Sequence, residues 1–184
     1  MPPTGEQPRL RAMTAKGFTL VEILMVVALL GVMLVAGMPG FQQFITKTRI
    51  SGATNEFLGD LSYARSEAAT RQVEVAICTS TNQTSCASGG DWANGRIIFI
   101  DTNADGAVST GETVLRVSQA MTSTTVTTSG FGSTDIVRFR PFGGLKPPTA
   151  GSFRLCPTGQ SGAEGRLLSV ATTGRPVISK TTCP

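Results

Sequence analysis

The pattern of apolar and polar residues divides the chain into three segments, and the first is almost purely apolar. Between Lys16 and Lys47 the only charged residue is Glu22, and the positions after it are mostly Val, Leu, Met, Ile and Ala. A helix of this length can cross a hydrocarbon layer of about 30 Å. The sequence therefore predicts a membrane-spanning helix over residues 18–44.

The second segment continues the helix with one apolar face and is predicted over residues 45–72. Its polar positions, among them Asp60, Arg65 and Glu67, are predicted to face outward and to pair within the helix. One helix is thus expected from Phe18 to Arg71, kinked or melted near Pro39, which lacks a backbone N–H. The apolar positions recur at spacings of three and four, as in one helical stripe: Ile50, Ala53, Phe57, Leu61, Ala64 and Ala68.

The third segment, residues 73–184, shows the alternation and the Gly, Ser, Thr and Pro punctuation of short strands. The predicted fold class is α+β, a long N-terminal helix packed on a mostly antiparallel β-sheet head. Eight strands are predicted: Val73–Cys78, Gly95–Ile100, Thr113–Val117, Thr124–Thr128, Ile136–Arg140, Ser152–Leu155, Leu167–Ala171 and Pro176–Ser179.

The charges around the first segment indicate its orientation. Arg9, Arg11 and Lys16 precede the apolar run, so the first residues should stay cytoplasmic and the head should lie outside. An ordinary secretory signal would have a shorter apolar core, of about 7–15 residues. A plain membrane anchor leaves Glu22 unexplained, because a carboxylate in lipid is costly.

The start of the apolar run carries a recognisable motif. The run Lys16-Gly17-Phe18-Thr19-Leu20-Val21-Glu22 resembles the class III signal of type IV pilins and pseudopilins. The resemblance implies that residues 1–17 are a leader peptide, which prepilin peptidase removes between Gly17 and Phe18 before N-methylating Phe18. Glu22 then takes the place of the family's signature glutamate. We expect it to pair in lipid with the new α-amino group of a neighbouring subunit, which lowers the cost of both charges and sets the register of assembly.

Two further stretches, Asn55–Ala68 on the helix and Asp91–Arg116 in the head, resemble GspH/FimT-type minor pseudopilins. The resemblance implies a subunit of a type IV pilus or a type II secretion pseudopilus, at or near the tip, that helps to initiate assembly. It implies single-pass insertion in the bacterial inner membrane with the head in the periplasm. The implied partners are other minor and major subunits, prepilin peptidase and the inner-membrane assembly platform. Both systems use the same signal and fold, so the sequence does not choose between them.

All four cysteines lie in the predicted exported part of the chain. An even number there indicates two disulfides. Of the three possible pairings, Cys78–Cys86 with Cys156–Cys183 is the simplest. A zinc site is disfavoured, because the spacings do not form paired C-x-x-C knuckles.

One segment of the head matches the spacing of a calcium-binding EF-hand loop. Asp101, Asn103, Asp105 and Glu112 would offer oxygen ligands, and Gly106 would permit the sharp turn. The flanking segments are predicted strands rather than helices. We therefore favour a polar hairpin turn, in which Asp and Asn bond their own backbone, and expect no cofactor; calcium stays the alternative.

A DNA-binding function is the second, less favoured prediction. Some FimT-type members bind incoming DNA during natural transformation through a C-terminal Gly-Arg-x-Arg motif, and this chain has Gly174 and Arg175 but Val177 in place of the second arginine. Without residues 1–17 the chain has 13 basic and 11 acidic residues, and so a net charge of +2. This small excess of positive charge is weak evidence for binding to nucleic acid. The arginines that would extend such a patch are Arg138, Arg140 and Arg154.

No set of catalytic residues is evident in the sequence. The chain has no histidine, which removes the commonest general base and metal ligand. It also lacks a Gly-x-Ser-x-Gly elbow and a phosphate-cradling glycine loop. We therefore predict a structural protein rather than an enzyme.

Overall fold

The computed structural model describes residues 17–184, apart from the side chains of residues 35–39. Residues 1–16 of the predicted leader (residues 1–17), including Arg9, Arg11 and Lys16, lie outside the described residues. The chain forms two compact units, Met1–Gln42 and Gln43–Pro184. Helix α1 (Leu20–Arg71) begins in the first unit and ends in the second.

Helix α1 matches the predicted helix closely at both ends. A kink or local melting was predicted near Pro39. The backbone is helical through residues 37–40, so the melting is wrong, since a proline removes only one backbone donor from the helix; the kink stays a prediction. The structure describes the side chains of the apolar run only as far as Leu34 and again from Gly40, and among the residues that it describes no helix has a stretch long and apolar enough to cross a membrane.

The second unit contains nine strands in two sheets, and every strand pair is antiparallel. The strands are β1 (Val75–Thr79), β2 (Arg96–Ile100), β3 (Val114–Ser118), β4 (Thr124–Ser129), β5 (Ile136–Phe139), β6 (Leu145–Lys146), β7 (Gly151–Pro157), β8 (Glu164–Val170) and β9 (Pro176–Thr182). The first sheet has the order β3-β2-β1-β5-β6, and the second has the order β4-β7-β8-β9. All eight predicted strands are present, and β6 is the one that the sequence did not predict.

The main core lies where the second half of helix α1 meets both sheets. The predicted apolar stripe is confirmed, since Phe57, Leu61, Ala64 and Ala68 are fully buried. Phe57 packs against Phe153 of β7 at 4.5 Å and against Trp92 at 5.6 Å between ring centroids. These aromatic contacts join the helix to the second sheet and to the 3-10 turn at Trp92–Asn94.

A smaller apolar cluster covers the other face of the first sheet. Successive residues of a strand point to opposite faces, and in β1 both faces are buried. Ala76, Cys78, Ile97 and Phe99 form this second cluster, and Val108 of the loop between β2 and β3 packs on it. The loop therefore covers part of the outer face of the first sheet.

Two disulfides are present in the second unit. Cys78 is joined to Cys86, and Cys156 is joined to Cys183, with sequence separations of 8 and 27 residues. This is the simplest of the three pairings that the sequence allowed. The second disulfide ties Cys183, the residue after strand β9, to strand β7.

Candidate functional site

The first candidate site is the beginning of helix α1, where the predicted cleavage bond lies. The Oγ1 of Thr19 accepts a hydrogen bond from the backbone N–H of Glu22 at 3.3 Å, and the carbonyl oxygen of Thr19 accepts one from the N–H of Ile23 at 3.2 Å. The order Thr-x-x-Glu is that of a capping box. Thr19, the second residue after the Gly17–Phe18 bond, thus caps the helix that begins at Leu20. This capping was missed from the sequence, although the Thr-x-x-Glu spacing was a signal for it.

Apolar side chains are exposed all round the described part of this helix in the first unit. Phe18 is 78% exposed and Met33 is 71% exposed, while the least exposed large side chain between them, Val26, is still 49% exposed. A helix that is apolar on every side is normally buried in lipid or among other helices. Glu22 lies in this apolar surface and is itself exposed.

The second candidate site is the loop between β2 and β3, which brings together the residues predicted as calcium ligands. A carboxylate oxygen from each of Asp101, Asp105 and Glu112 lies within 4.8 Å of the others. Asn103 joins the cluster, because its amide Nδ2 donates to the Oδ2 of Asp105 at 2.7 Å. The strands on either side pair as a hairpin, so the loop does not lie between two helices as an EF-hand loop does.

Backbone N–H groups hold the carboxylates of this loop in place. The Oε1 of Glu112 accepts from the N–H of Thr102 at 2.8 Å, and its Oε2 accepts from the N–H of Ser109 at 2.9 Å. The Oδ2 of Asp101 accepts from the N–H of Gly106 at 3.1 Å. Gly106 has a φ of +78°, a conformation that glycine adopts without strain. The polar hairpin turn predicted from the sequence describes this bonding well.

The two aspartates of the loop differ in their electrostatic environment. Burial raises the pKa of Asp101, and the charges of Glu74 and Glu112 raise it further. Asp105 is exposed, and the hydrogen bond from the backbone N–H of Ala107 lowers its pKa, helped by Asn103 and Ser109. Asp101, the buried carboxylate, thus accepts fewer hydrogen bonds from the loop than Asp105 does.

The four arginines predicted as a DNA-binding patch are divided between the two sheets. Arg138 of β5 lies 3.7 Å from Glu74 and donates to the carbonyl oxygen of Ala104 at 2.9 Å, so it is already engaged. Arg140 is exposed just beyond the same strand, in the first sheet. The structure therefore does not gather Arg138 and Arg140 on one sheet with the other two.

Arg154 and Arg175 belong to the second sheet. Arg154 pairs with Leu167 across β7 and β8, and Val177 pairs with Ser169 across β8 and β9. Since side chains two residues apart share a face, Arg154 and Val177 lie on the same outer face. Arg175 is exposed in the turn before β9.

The turn before β9 also explains Gly174 in structural terms. Its φ is +76°, and a Cβ at this position would collide with the carbonyl oxygen of Gly143. Only glycine fits such an approach. The glycine of the Gly-Arg pair is therefore required by packing whether or not the arginine binds a ligand.

A buried ionic cluster was missed from the sequence and lies between helix α1 and the first sheet. Asp60 was predicted on the outer face and paired with Arg65, and this prediction is wrong. Asp60 is 2% exposed and contacts Arg96, which is 1% exposed, at 2.6 Å. Arg65 instead donates to the carbonyl oxygen of Gly143 at 3.2 Å, and Glu67 pairs with Arg71.

The spacing in the sequence did contain a signal for this burial. Position 60 lies three residues after Phe57 and four before Ala64, on the apolar stripe itself. It was assigned outward because carboxylates are rarely buried unless they are paired, and the partner, Arg96, is 36 residues away.

A helix that is apolar along its first part and packed on a β-sheet head along its second defines the class of type IV pilin-like subunits. Residues 53–174 match the family model described as Type II transport protein GspH, and the chain belongs to this family. It is a minor pseudopilin of the GspH/FimT type.

Solved structures of two minor subunits match the chain, and the first resembles it in fold. The type IV minor pilin FimU of Pseudomonas aeruginosa is 26% identical, with a TM-score of 0.56 over 74% of this chain and 92% of FimU. The minor pseudopilin EpsH of the Vibrio cholerae type II secretion system is 11% identical, with a TM-score of 0.46 over 75% of this chain and 96% of EpsH. No curated protein sequence matches the chain.

Proposed function

We propose that this chain is a subunit at or near the tip of a type IV pilus or a type II secretion pseudopilus, where it helps to initiate assembly. The observation that carries the proposal is the apolar surface around the start of helix α1, with one carboxylate, Glu22, in it. Such a surface is stable only when lipid or other apolar helices cover it. A subunit that passes from a membrane into a bundle of like helices meets both conditions.

The same surface suggests how the subunit enters the assembly. Before assembly, residues 18–44 span the inner membrane and the head lies in the periplasm. Prepilin peptidase cuts between Gly17 and Phe18, and the new α-amino group lies beside the positively polarised end of helix α1. The charge of this amino group and the partial positive charge of the helix end together stabilise a carboxylate nearby. Glu22 of a neighbouring subunit supplies it and fixes the axial position of the two helices.

The choice between the two filament systems rests on the relatives. The family model is described by its role in type II transport, whereas FimU is a type IV minor pilin. Each supports one of the two systems, and the likeness to FimU supports a role as a minor subunit. The assembly platform and the other subunits of that filament are the partners we propose.

A substitution at Glu22 tests this function. In Glu22→Gln the side chain keeps its size but loses its charge, so the variant should be processed yet largely absent from filaments sheared from cells. Glu67→Gln, which breaks only the exposed pair with Arg71, is the matched control and should be incorporated like the wild type. Incorporation of Glu22→Gln at the wild-type level would contradict the role of Glu22 in assembly.

DNA binding is the second candidate function, and Arg175 is the residue that supports it. Arg175 is exposed next to the edge strand β9, and Arg154 lies on the outer face of the same sheet. Arginines bind DNA chiefly through phosphates, which makes the affinity strongly dependent on salt. A mobility-shift titration at two salt concentrations should show weaker binding for Arg175→Ala and stronger binding for Val177→Arg. Absence of binding at low salt, or no effect of Arg175→Ala, would rule out this function.

A further inference from the structure

The loop between β2 and β3 holds a carboxylate that the chain itself does not fully satisfy. Asp101 is 0% exposed, and its Oδ1 has no hydrogen-bond partner among the described residues. Its other oxygen accepts one bond, from the N–H of Gly106. A buried charge is costly unless it is paired or coordinates a metal.

Two more carboxylates face this one. Asp105 and Glu112 each place an oxygen within 4.8 Å of an oxygen of Asp101. Like charges at this separation repel one another, and water screens this repulsion less where one of the charges is buried. Within the described part of the chain none of the three forms a salt bridge.

The nearby cations are committed elsewhere. Arg138 donates to the carbonyl oxygen of Ala104 and lies 3.7 Å from Glu74. Lys146 pairs with Glu74 at 2.7 Å. The positive charges next to the loop are therefore directed at Glu74, and the cluster of three carboxylates lacks a cation of its own.

We propose that this loop binds one Ca²⁺ through the carboxylates of Asp101, Asp105 and Glu112. Calcium takes six to eight oxygen ligands at about 2.3–2.6 Å. Two oxygens on opposite sides of such an ion lie about 4.8 Å apart, and the three carboxylates are gathered within that span. Waters supply further ligands, and Asn103, whose amide Nδ2 donates to Asp105, holds that carboxylate in place. Magnesium fits less well, because it requires shorter bonds in a strict octahedron.

Calcium at this position would act on the stability of the head rather than on chemistry. The loop carries Val108, which packs on the apolar cluster over the outer face of the first sheet. It is also joined to β5 through the bond from Arg138 to Ala104. An ion bound between Asp101 and Glu112, at the two ends of the loop, holds the loop against this face of the sheet. The inference does not depend on the filament function proposed above.

The test is calcium binding by the full chain purified in detergent. Calorimetric titration with CaCl₂ up to about 10 mM covers the affinity of extracellular calcium modules, about 10⁻⁴–10⁻³ M. The titration should reveal one site per chain. The melting temperature should rise by about 5–10 °C when calcium exceeds its Kd a hundredfold, and the same concentration of MgCl₂ should give a smaller rise.

Variants distinguish the loop from other carboxylates. Asp105 is exposed, so Asp105→Asn should fold and lose most of the calcium response; Glu112→Gln should behave in the same way. Glu67→Gln on helix α1 is the matched control and should keep the full response. No heat and no melting shift with wild-type protein, or a wild-type response in Asp105→Asn, would overturn the proposal.

Discussion

Arg96 of strand β2 and Asp60 of helix α1 form a buried ion pair in which both the Nε and the Nη2 of the arginine donate to the Oδ2 of the aspartate, at 3.1 and 2.6 Å. The hydroxyl of Ser118 donates to the same oxygen at 2.8 Å. The guanidinium also lies over the ring of Phe57, 4.6 Å from its centroid. The pair therefore fixes the helix on the first sheet at one defined position.

Removing one member of this pair should destabilise the head strongly. Asp60→Asn leaves the buried guanidinium of Arg96 with only the half-exposed carboxylate of Glu56, at 3.1 Å, as a counter-charge. The free energy of unfolding should fall by about 3 kcal/mol, the lower end of the range for a broken buried ion pair. Denaturant unfolding followed by the fluorescence of Trp92, the only tryptophan, measures the loss. Glu67→Gln removes an exposed pair and should cost less than about 1 kcal/mol. Equal losses in the two variants would contradict the account of the buried pair.

The aromatic contact between helix and second sheet should be equally sensitive to truncation. Phe57 is 0% exposed and packs on Phe153, so Phe57→Ala should lower the free energy of unfolding by about 3–5 kcal/mol through the cavity that it leaves. Phe142 is 89% exposed, and Phe142→Ala should change it by less than about 0.5 kcal/mol. A small effect of Phe57→Ala would show that the helix contributes little to the core.

The two disulfides should differ in what they contribute. Loop closure restricts the unfolded chain more when the loop is longer. Replacing Cys156 and Cys183, which are 27 residues apart, by alanine should cost about 3.5 kcal/mol. Replacing Cys78 and Cys86, 8 residues apart, should cost about 2.5 kcal/mol. Unfolding titrations of the two double variants check this order, and the reverse order would show that loop length does not govern it.

Glu164 should make the stability of the head depend on pH in the acid range. It lies near three cations, Lys47, Arg166 and Lys180, and the hydrogen bond from Arg166, followed by the nearby charge of Lys180, lowers its pKa from the ordinary value of 4.5. The unfolded chain thus binds this proton more readily than the folded one.

The sign of the effect follows from that difference. Glu164 stabilises the folded state above about pH 4.5, and this contribution is lost as the pH falls below that value. Melting temperatures measured between pH 3 and pH 6 should show a flatter acid decline in Glu164→Gln than in the wild type. Arg166→Met removes the principal donor and should flatten the decline as well. An unchanged decline in both variants would contradict the ionic account of Glu164.

Local patterns in the sequence were enough to locate most elements of the head. The apolar stripe from Phe57 to Ala68 predicted the buried face of the helix, because burial there follows the helical period. Strands β1 and β2 were predicted because they combine apolar runs with flanking turn residues. Strand β6 has two residues, Leu145–Lys146, which is too short to form any pattern.

Features that depend on partners distant in the chain were harder to predict. The burial of Asp60 depends on Arg96 and Ser118, which reach it only once both the sheet and the helix have formed. Division of the strands into two sheets is also a matter of long-range pairing. It separates Arg138 from Arg154, which the sequence alone had grouped in one patch.

The loop between β2 and β3 is an intermediate case. The spacing of Asp101, Asp105 and Glu112 is local, and it predicted that their side chains would lie together. The buried and unpartnered oxygen of Asp101 follows from the packing of the loop on the sheet, which no local pattern shows. The sequence therefore suggested which residues would bind an ion, and the structure added the buried carboxylate oxygen that favours a cation there.

The central claim is that the chain is cut at the Gly17–Phe18 bond and then enters a filament through helix α1. Intact mass spectrometry of the chain isolated from sheared filaments tests it most directly. The account predicts a polypeptide that begins with N-methylated Phe18 and lacks the first 17 residues. A chain that still begins at Met1, or one that is cleaved beyond Pro39, would contradict it.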